Sequence, residues 1–357
     1  MNTLFSVPQG SRYPSQPRRG DRAAALVLGL FFAIGCGNDD GTTAPKPDAA
    51  ISIGPDAAIP VVPDATTEVA VDTGTTVVDF IPLPQGAPET TLWDATTATL
   101  YIVDNTGNAV WKWTDQAGLA PFATCPLPAG ETTLAPNVTL GQATLLPDQT
   151  LVVARFGQPG GGAGGVVFIR KDGTAGLVPN LDPAIRRLGV ITGPDGTLYG
   201  STFSGSGTNL VGTLTTLDLA VGEKTLTDGF GKIVGLTIAD GRLYVSDQSA
   251  GKIFYAPLAT LPAHAADWTT LATLVKPDQI CAGPAGTLFT GQFQGAAGST
   301  DPIAIRWIAS DGTVTAFKQD PQVSKPSGLS YDPAGRRLFV ADSGNSANVG
   351  VRIFLVP

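Results

Sequence analysis

In the stretch PETTLWDATTATLYIVD (residues 88–104), Glu89 is a carboxylate set among apolar and hydroxyl residues, and in KPDQICAGPAGTL (276–288) Asp278 precedes another short apolar strand. If a fold brings two such carboxylates together, the pair can bind a cation, or one of them can act as a general base. Each also has a plainer reading, Glu89 as the polar residue that starts a strand and Asp278 as the Asp of a Pro-Asp turn. Asp104, Arg155, Asp247, Gln292 and Asp342 form a second set, each ending an apolar strand. An Asp in that position either accepts hydrogen bonds from the turn that follows or faces a ligand. Arg155 can pair with a carboxylate ligand or with a neighbouring Asp.

Other chemistries lack their residues. His264 is the single histidine, in LPAHAADW, and is read as lying between the fourth and fifth repeat units, away from any nucleophile. Ser-His-Asp catalysis and histidine-rich zinc sites are therefore not expected. The glycine-rich insert FGQPGGGAGG (156–165) has no phosphate-loop spacing and does not lead into a helix, so it reads as a rim loop or lid. Cys125 and Cys281 fall in different units, and Cys281 is expected as a buried free thiol.

The elements that must position these residues repeat. TLYIVD (99–104), TLVVAR (150–155), TLYGST (197–202), RLYVSD (242–247), TLFTGQ (287–292) and RLFVAD (337–342) align on Leu100, Leu151, Leu198, Leu243, Leu288 and Leu338, at intervals of 51, 47, 45, 45 and 50 residues. Turn signals such as GPDGT (193–197) precede most of them, a short apolar strand such as VGLTI (234–238) comes before the turn, and a further strand such as KIFYA (252–256) follows. Strand, turn, strand, loop, strand, turn, strand is one four-stranded blade, and six blades in a ring bury faces that none can bury alone. The expected fold is an all-β, six-bladed β-propeller over residues 75–357. Its last unit lacks an outer strand, and TTVVDFIPLP (75–84) is free to pair with NVGVRIFLVP (348–357) and close the ring. Neither a β-helix nor a pair of stacked sandwiches accounts for six such units and a leftover strand. Trp111, Trp113 and Trp307 fall in third strands, where they are expected to pack between blades.

These repeats resemble the six-bladed propellers of the NHL-repeat type and of the regucalcin/gluconolactonase-like family. Glu89, Trp93, Asp94 and Asp104 match the appearance of that family's first blade, and KPDQICAGPAGTL is similar to its Pro-Asp-Gly-[Met/Ile]-Cys element. The resemblance implies a divalent cation, calcium or zinc, held by Glu89 and Asp278, with Asp278 also acting as base in lactone or ester hydrolysis and Arg155 orienting the substrate. Where the family has channel asparagines this chain has Val234 and Leu188, and the corresponding positions in two further units are Gly141 and Ser327. That departure favours a binding module that holds a small molecule, glycan or protein at the propeller mouth, with the hydrolase as the alternative.

The N-terminus is read as an address. Arg12, Arg18, Arg19 and Arg22 precede AAALVLGLFFAIG, an apolar run too short for a comfortable membrane span. Ala33-Ile34-Gly35-Cys36 resembles a bacterial lipobox, which implies a signal peptide over 1–35 and acylation of Cys36. Residues 36–74 repeat Pro-Asp-Ala at Pro47, Pro55 and Pro63 and read as a disordered acidic tether. Between Gly37 and Val78 there are seven acids against Lys46 alone, so most of the net charge of −8 belongs to this spacer and says little about a ligand. With only 15% charged residues, 44 glycines and 29 prolines, the remainder suits short strands and tight turns. Nucleic acid is excluded as a partner, because no Lys/Arg cluster exists beyond the extreme N-terminus. The expectation is a monomer anchored to a membrane through Cys36 in a bacterial cell envelope, facing periplasm or exterior.

Overall fold

The structure is a computed structural model that describes residues 77–83, 86–128, 131, 138–158, 162–207, 209–292, 304–318, 323–344 and 349–357. The signal segment, Cys36, the tether and residues 159–161 of the glycine-rich insert lie outside the described residues.

Six four-stranded antiparallel sheets are present among the described residues. A single strand, β1 (Val77–Pro82), precedes the first complete blade, which is β2 (Pro88–Asp94), β3 (Thr99–Asp104), β4 (Ala109–Thr114) and β5 (Gly118–Thr124). Blade two is β6 (Leu140–Leu145), β7 (Leu151–Arg155), β8 (Gly165–Ile169) and β9 (Ala175–Leu177), and blade three is β10 (Arg186–Thr192), β11 (Leu198–Ser204), β12 (Val211–Asp218) and β13 (Gly222–Phe230). Blade four is β14 (Ile233–Ala239), β15 (Arg242–Asp247), β16 (Lys252–Pro257) and β17 (Thr269–Thr273). Blade five is β18 (Ile280–Ala282), β19 (Leu288–Gln292), β20 (Ala304–Ile308) and β21 (Val314–Lys318). The last sheet holds β22 (Pro326–Asp332), β23 (Arg337–Asp342) and β24 (Gly350–Leu355), and β1 supplies its fourth strand.

The expected closure is therefore present, with Ile81 opposite Val351 and Pro82 opposite Gly350. At this seam Trp93 stacks on Phe339 at 5.3 Å and Trp113 meets the same ring edge-on at 6.0 Å. Ile81, Leu100, Val351 and Ile353 complete the apolar cluster. A neighbouring blade covers each face of the second strands, which explains why β3, β7 and β19 are buried along their whole length, polar end residues included. The turn predicted at residues 193–197 joins β10 to β11, with Asp195 Oδ1 accepting from Thr197 N at 3.0 Å and Gly196 at a φ of 83°.

His264 is placed differently from the sequence expectation. It lies inside blade four, between its third and fourth strands, because that connection contains two short 3-10 turns and β17 follows it. There it pairs with Asp228 at 2.6 Å on the exposed outer side.

The inner strands carry a feature that matters for the site. In five blades the pairing register shifts near the start of the inner strand: between Pro88 and Thr90, Leu140 and Ala143, Arg187 and Val190, Ile233 and Gly235, and Pro326 and Leu329. A bulge of this kind re-aims the extra residue and bends the strand. The residues so released are Glu89, Gly141–Gln142, Leu188–Gly189, Val234 and Ser327–Gly328. In blade five Asp278 stands just ahead of β18, and its N–H donates to Gly291 O at 2.9 Å. The glycine beside the bulge also lets the blades converge: a Cβ on Gly328 would stand 2.5 Å from Thr90 Cα, and one on Gly235 would stand 2.7 Å from Gln279 Cα.

Candidate functional site

Glu89 and Asp278, 189 positions apart in sequence, meet at the side chain of Ser327. The Ser327 hydroxyl lies 2.9 Å from Glu89 Oε1 and 3.3 Å from Asp278 Oδ2. A hydroxyl has one hydrogen to give, so a close contact with both carboxyls is satisfied when one of them carries a proton of its own. The electrostatics agree. Burial, and then the charge of Asp278, raise the Glu89 pKa to about 8 against the opposing pull of its hydrogen bonds to Ser327 and Asn105. Burial raises Asp278 to about 6, opposed chiefly by the charge of Lys232 and by the Ser327 hydrogen bond.

Several residues fix this geometry. Asn105 Nδ2 donates to Glu89 Oε2 at 2.8 Å while its Oδ1 accepts from Leu140 N at 2.6 Å, tying blade one to blade two. Gln279 Nε2 reaches Glu89 O and Oε1 at 3.4 Å each. The Asp278 carbonyl accepts from Ser246 Oγ at 2.7 Å. Elsewhere on the inner strands, Gln142 extends from blade two past blade three, its Nε2 donating to Leu236 O at 2.7 Å and its Oε1 accepting from Leu236 N at 2.9 Å and Val190 N at 3.3 Å.

The remaining bulge positions are apolar. Leu188 and Val234 are buried with Phe203 in one cluster, against which Phe156 and Leu210 pack. Two cations border it. The Arg186 guanidinium lies 4.3 Å from the Phe203 ring centroid, and Lys232 Nζ, 5.8 Å from the same centroid, donates to Gln248 Oε1 at 2.6 Å. Burial lowers the Lys232 pKa, opposed first by the charge of Asp278. The site thus combines a carboxyl pair, an apolar cluster from the third and fourth blades, and Lys232, which borders that cluster and whose charge acts on both carboxyls.

A calcium- or magnesium-like ion takes about six or more oxygen ligands. Here two carboxylates and one hydroxyl converge, the bulge positions of the third and fourth blades carry leucine and valine in place of oxygen donors, and Lys232 and Lys325 already supply positive charge to the pair. Among the described residues no group of three or more His, Cys, Asp or Glu side chains is placed to hold a metal ion. The residues present do not make a divalent-cation centre.

Each strand-end residue is engaged by neighbouring turns or strands. Asp104 accepts from Ala87 N at 2.8 Å, Thr106 N at 3.0 Å and Trp111 Nε1 at 3.2 Å. Asp247 accepts from Gly231 N at 2.6 Å, Ser249 Oγ at 2.8 Å and Ala250 N at 2.9 Å. Asp342 accepts from Lys325 N at 2.9 Å and from Arg352 Nε at 2.8 Å, an ion pair with both members buried. Gln292 Oε1 accepts from Arg306 Nε at 2.7 Å. Arg155 is buried, and its Nη2 donates to Asn108 Oδ1 at 3.3 Å and Pro126 O at 2.5 Å. Cys125 and Cys281 are both free thiols, with burial pushing Cys125 up to about 11 and Cys281 upward as well.

Sequence reasoning found Glu89 and Asp278 and marked the bulge positions, yet it missed Asn105, Lys232, Gln142 and Gln279 and read Ser327 only as a lost ligand. Two signals were available. Asn105 directly follows the strand-ending Asp104, and Gln142 interrupts the apolar run of LGQATL.

No protein-family model matches the chain, and no curated protein matches it either. Solved structures do. A gluconolactonase from Xanthomonas campestris superimposes with a TM-score of 0.57 at 16% identity, covering 78% of this chain and 88% of that one. A luciferin-regenerating enzyme gives 0.56 at 16% identity over 77% of this chain and 93% of its own. Regucalcin from Agrobacterium tumefaciens, a calcium-binding protein, gives 0.54 at 14% identity over 78% and 92%. At these identities the shared property is the six-bladed propeller fold.

Proposed function

We propose that this propeller is a binding module for a hydroxylated small molecule of about sugar size, taken at the channel mouth. The observation that carries the proposal is the contact of one hydroxyl, that of Ser327, with the Glu89 and Asp278 carboxyls, on a ring whose inner strands also supply the apolar cluster of Leu188, Val234 and Phe203. Carboxylates accept hydrogen bonds from hydroxyls, and an apolar surface takes the C–H face of the same ring. The lipobox-like segment supports an exported protein held to a membrane through Cys36, with the acidic tether spacing the propeller from the lipid surface. Titration calorimetry with methyl glucoside tests the site. Saturable binding to the wild type, weakened about tenfold or more in the Glu89→Gln/Asp278→Asn double variant, is expected from the loss of charge-assisted hydrogen bonds. Unchanged binding in the double variant would refute it.

A second reading, hydrolysis of lactones or esters, is favoured by Asp278 and Glu89 holding pKa values of about 6 and about 8 side by side. In that reading ionised Asp278 takes the proton of a water that attacks the carbonyl carbon, and protonated Glu89 returns a proton to the departing alkoxide. The fold shared with a gluconolactonase supports it. Gluconolactone turnover above the buffer rate, abolished in Asp278→Ala, would establish it. Adding calcium or zinc to the same assay tests the metal-dependent form.

A further inference from the structure

Arg155 is buried without the carboxylate partner that several other arginines of the chain have. Arg187 pairs with Glu223, Arg352 with Asp342, and Arg337 with Asp332 and Asp115. Arg155 is 1% exposed, yet both hydrogen bonds of its guanidinium go to neutral acceptors, Asn108 Oδ1 and Pro126 O, and its buried Nε has no partner. An unmatched buried cation costs free energy, and proteins bury arginine with a counter-ion. Here none of the described residues supplies a carboxylate.

The space beside it is open. Arg155 lies directly across the sheet from Gly165, where a Cβ would meet nothing within 4 Å. Both border a cavity of about 550 Å³ on blade two, whose wall includes Val166, Leu177, Val178 and Leu181. Glycine opposite the arginine leaves room that any other residue would narrow, and the apolar wall suits a hydrocarbon body. A guanidinium presents paired N–H groups that match a carboxylate.

We propose that this cavity, formed by blade two with Pro128 and Glu131 at its border and separate from the carboxyl pair at the channel mouth, binds a small amphipathic carboxylate whose anionic end supplies the counter-ion missing from Arg155. The site does not depend on the reading of the mouth.

Titration calorimetry of the full-length protein with octanoate tests it, with 1-octanol as the uncharged comparison. The wild type is expected to bind octanoate saturably and octanol at least about tenfold more weakly, the weight of one charge-assisted hydrogen bond. Arg155→Met, which keeps an apolar stem and removes the charge, is expected to lose that preference and to be no less stable than the wild type. Gly165→Leu fills the open space while leaving the arginine in place, and is expected to abolish binding of both ligands; it decides the matter if Arg155→Met does not fold. Absence of octanoate binding to the wild type, equal affinity for octanol, or undiminished octanoate binding in either variant overturns the proposal. Glu131 borders the same cavity. Octanoate binding that emerges only in Glu131→Gln would identify Glu131 as the native counter-ion, and would also overturn it.

Discussion

Asn105 holds Glu89 from one side: its amide nitrogen donates to Glu89 Oε2 at 2.8 Å, and its amide oxygen is fixed by the N–H of Leu140 at 2.6 Å. With both ends of the amide engaged, the donor cannot turn away, so Glu89 is aimed by blade one while its other oxygen meets Ser327 of blade six. Asn105→Ala removes a bond that favours ionised Glu89 and leaves the Leu140 N–H without its acceptor. The expected outcomes are a further rise of the Glu89 pKa, followed by carboxyl carbon NMR, and a stability loss of about 1–3 kcal/mol in urea denaturation.

The same pair sets a pH dependence. Glu89 ionises near 4.5 in the unfolded chain and at about 8 when folded, and Asp278 moves in the same direction, from 3.8 to about 6. The folded state therefore binds more protons across these intervals, and stability falls as pH rises from about 4 to about 8. Glu89→Gln cannot ionise. Its melting temperature, measured against that of the wild type in metal-free buffer, is expected to gain on the wild type steadily between pH 5 and pH 8. Parallel profiles for the two proteins would contradict the raised pKa.

The cation argument has its own test. Leu188 and Val234 occupy the bulge positions of the third and fourth blades and are buried with Phe203. Replacing both with asparagine adds two amide oxygens and breaks the apolar cluster. Calcium affinity, read by calorimetry, is expected to increase in Leu188→Asn/Val234→Asn relative to the wild type, with a loss of stability from polar atoms placed beside buried Phe203. Calcium binding of equal strength in both proteins would show that the native oxygens suffice.

The ring was legible because its signal repeats: six leucines at near-constant spacing, each after a turn, specify a blade that cannot stand alone, and an unpaired strand at each end specifies the closure. The carboxyl pair was legible only as two candidates, since nothing local to either residue states that a bulge will aim Glu89 and the entry to β18 will aim Asp278 at one hydroxyl. Lys232 was missed because its role depends on burial, which a lysine beside a turn glycine does not announce. Ser327 illustrates the difficulty. In sequence it is a ligand position filled by a weaker donor, whereas in space it is the hydroxyl through which the two carboxyls meet. The sequence places His264 between blades because β17, Thr-Thr-Leu-Ala-Thr, carries too little apolar character to mark the edge of its blade.

Ring closure can be weighed with a single side chain. Ile81 is 4% exposed, sits opposite Val351 on β24 and packs into the seam that contains Phe339 and Trp113. Ile81→Ala leaves a cavity there, and large-to-small changes of this kind cost about 2–5 kcal/mol. Asp79, on the same strand but exposed, is the control, and Asp79→Ala is expected to change stability by no more than about 0.5 kcal/mol. Deleting residues 1–83 goes further, because it strips β24 of its partner and leaves a paired-on-one-side edge of Gly350–Leu355 open to other chains. That variant is expected to aggregate at concentrations where the wild type stays monodisperse in light scattering. A truncated chain that remains monodisperse and melts with the wild type would mean that the ring closes without its first strand.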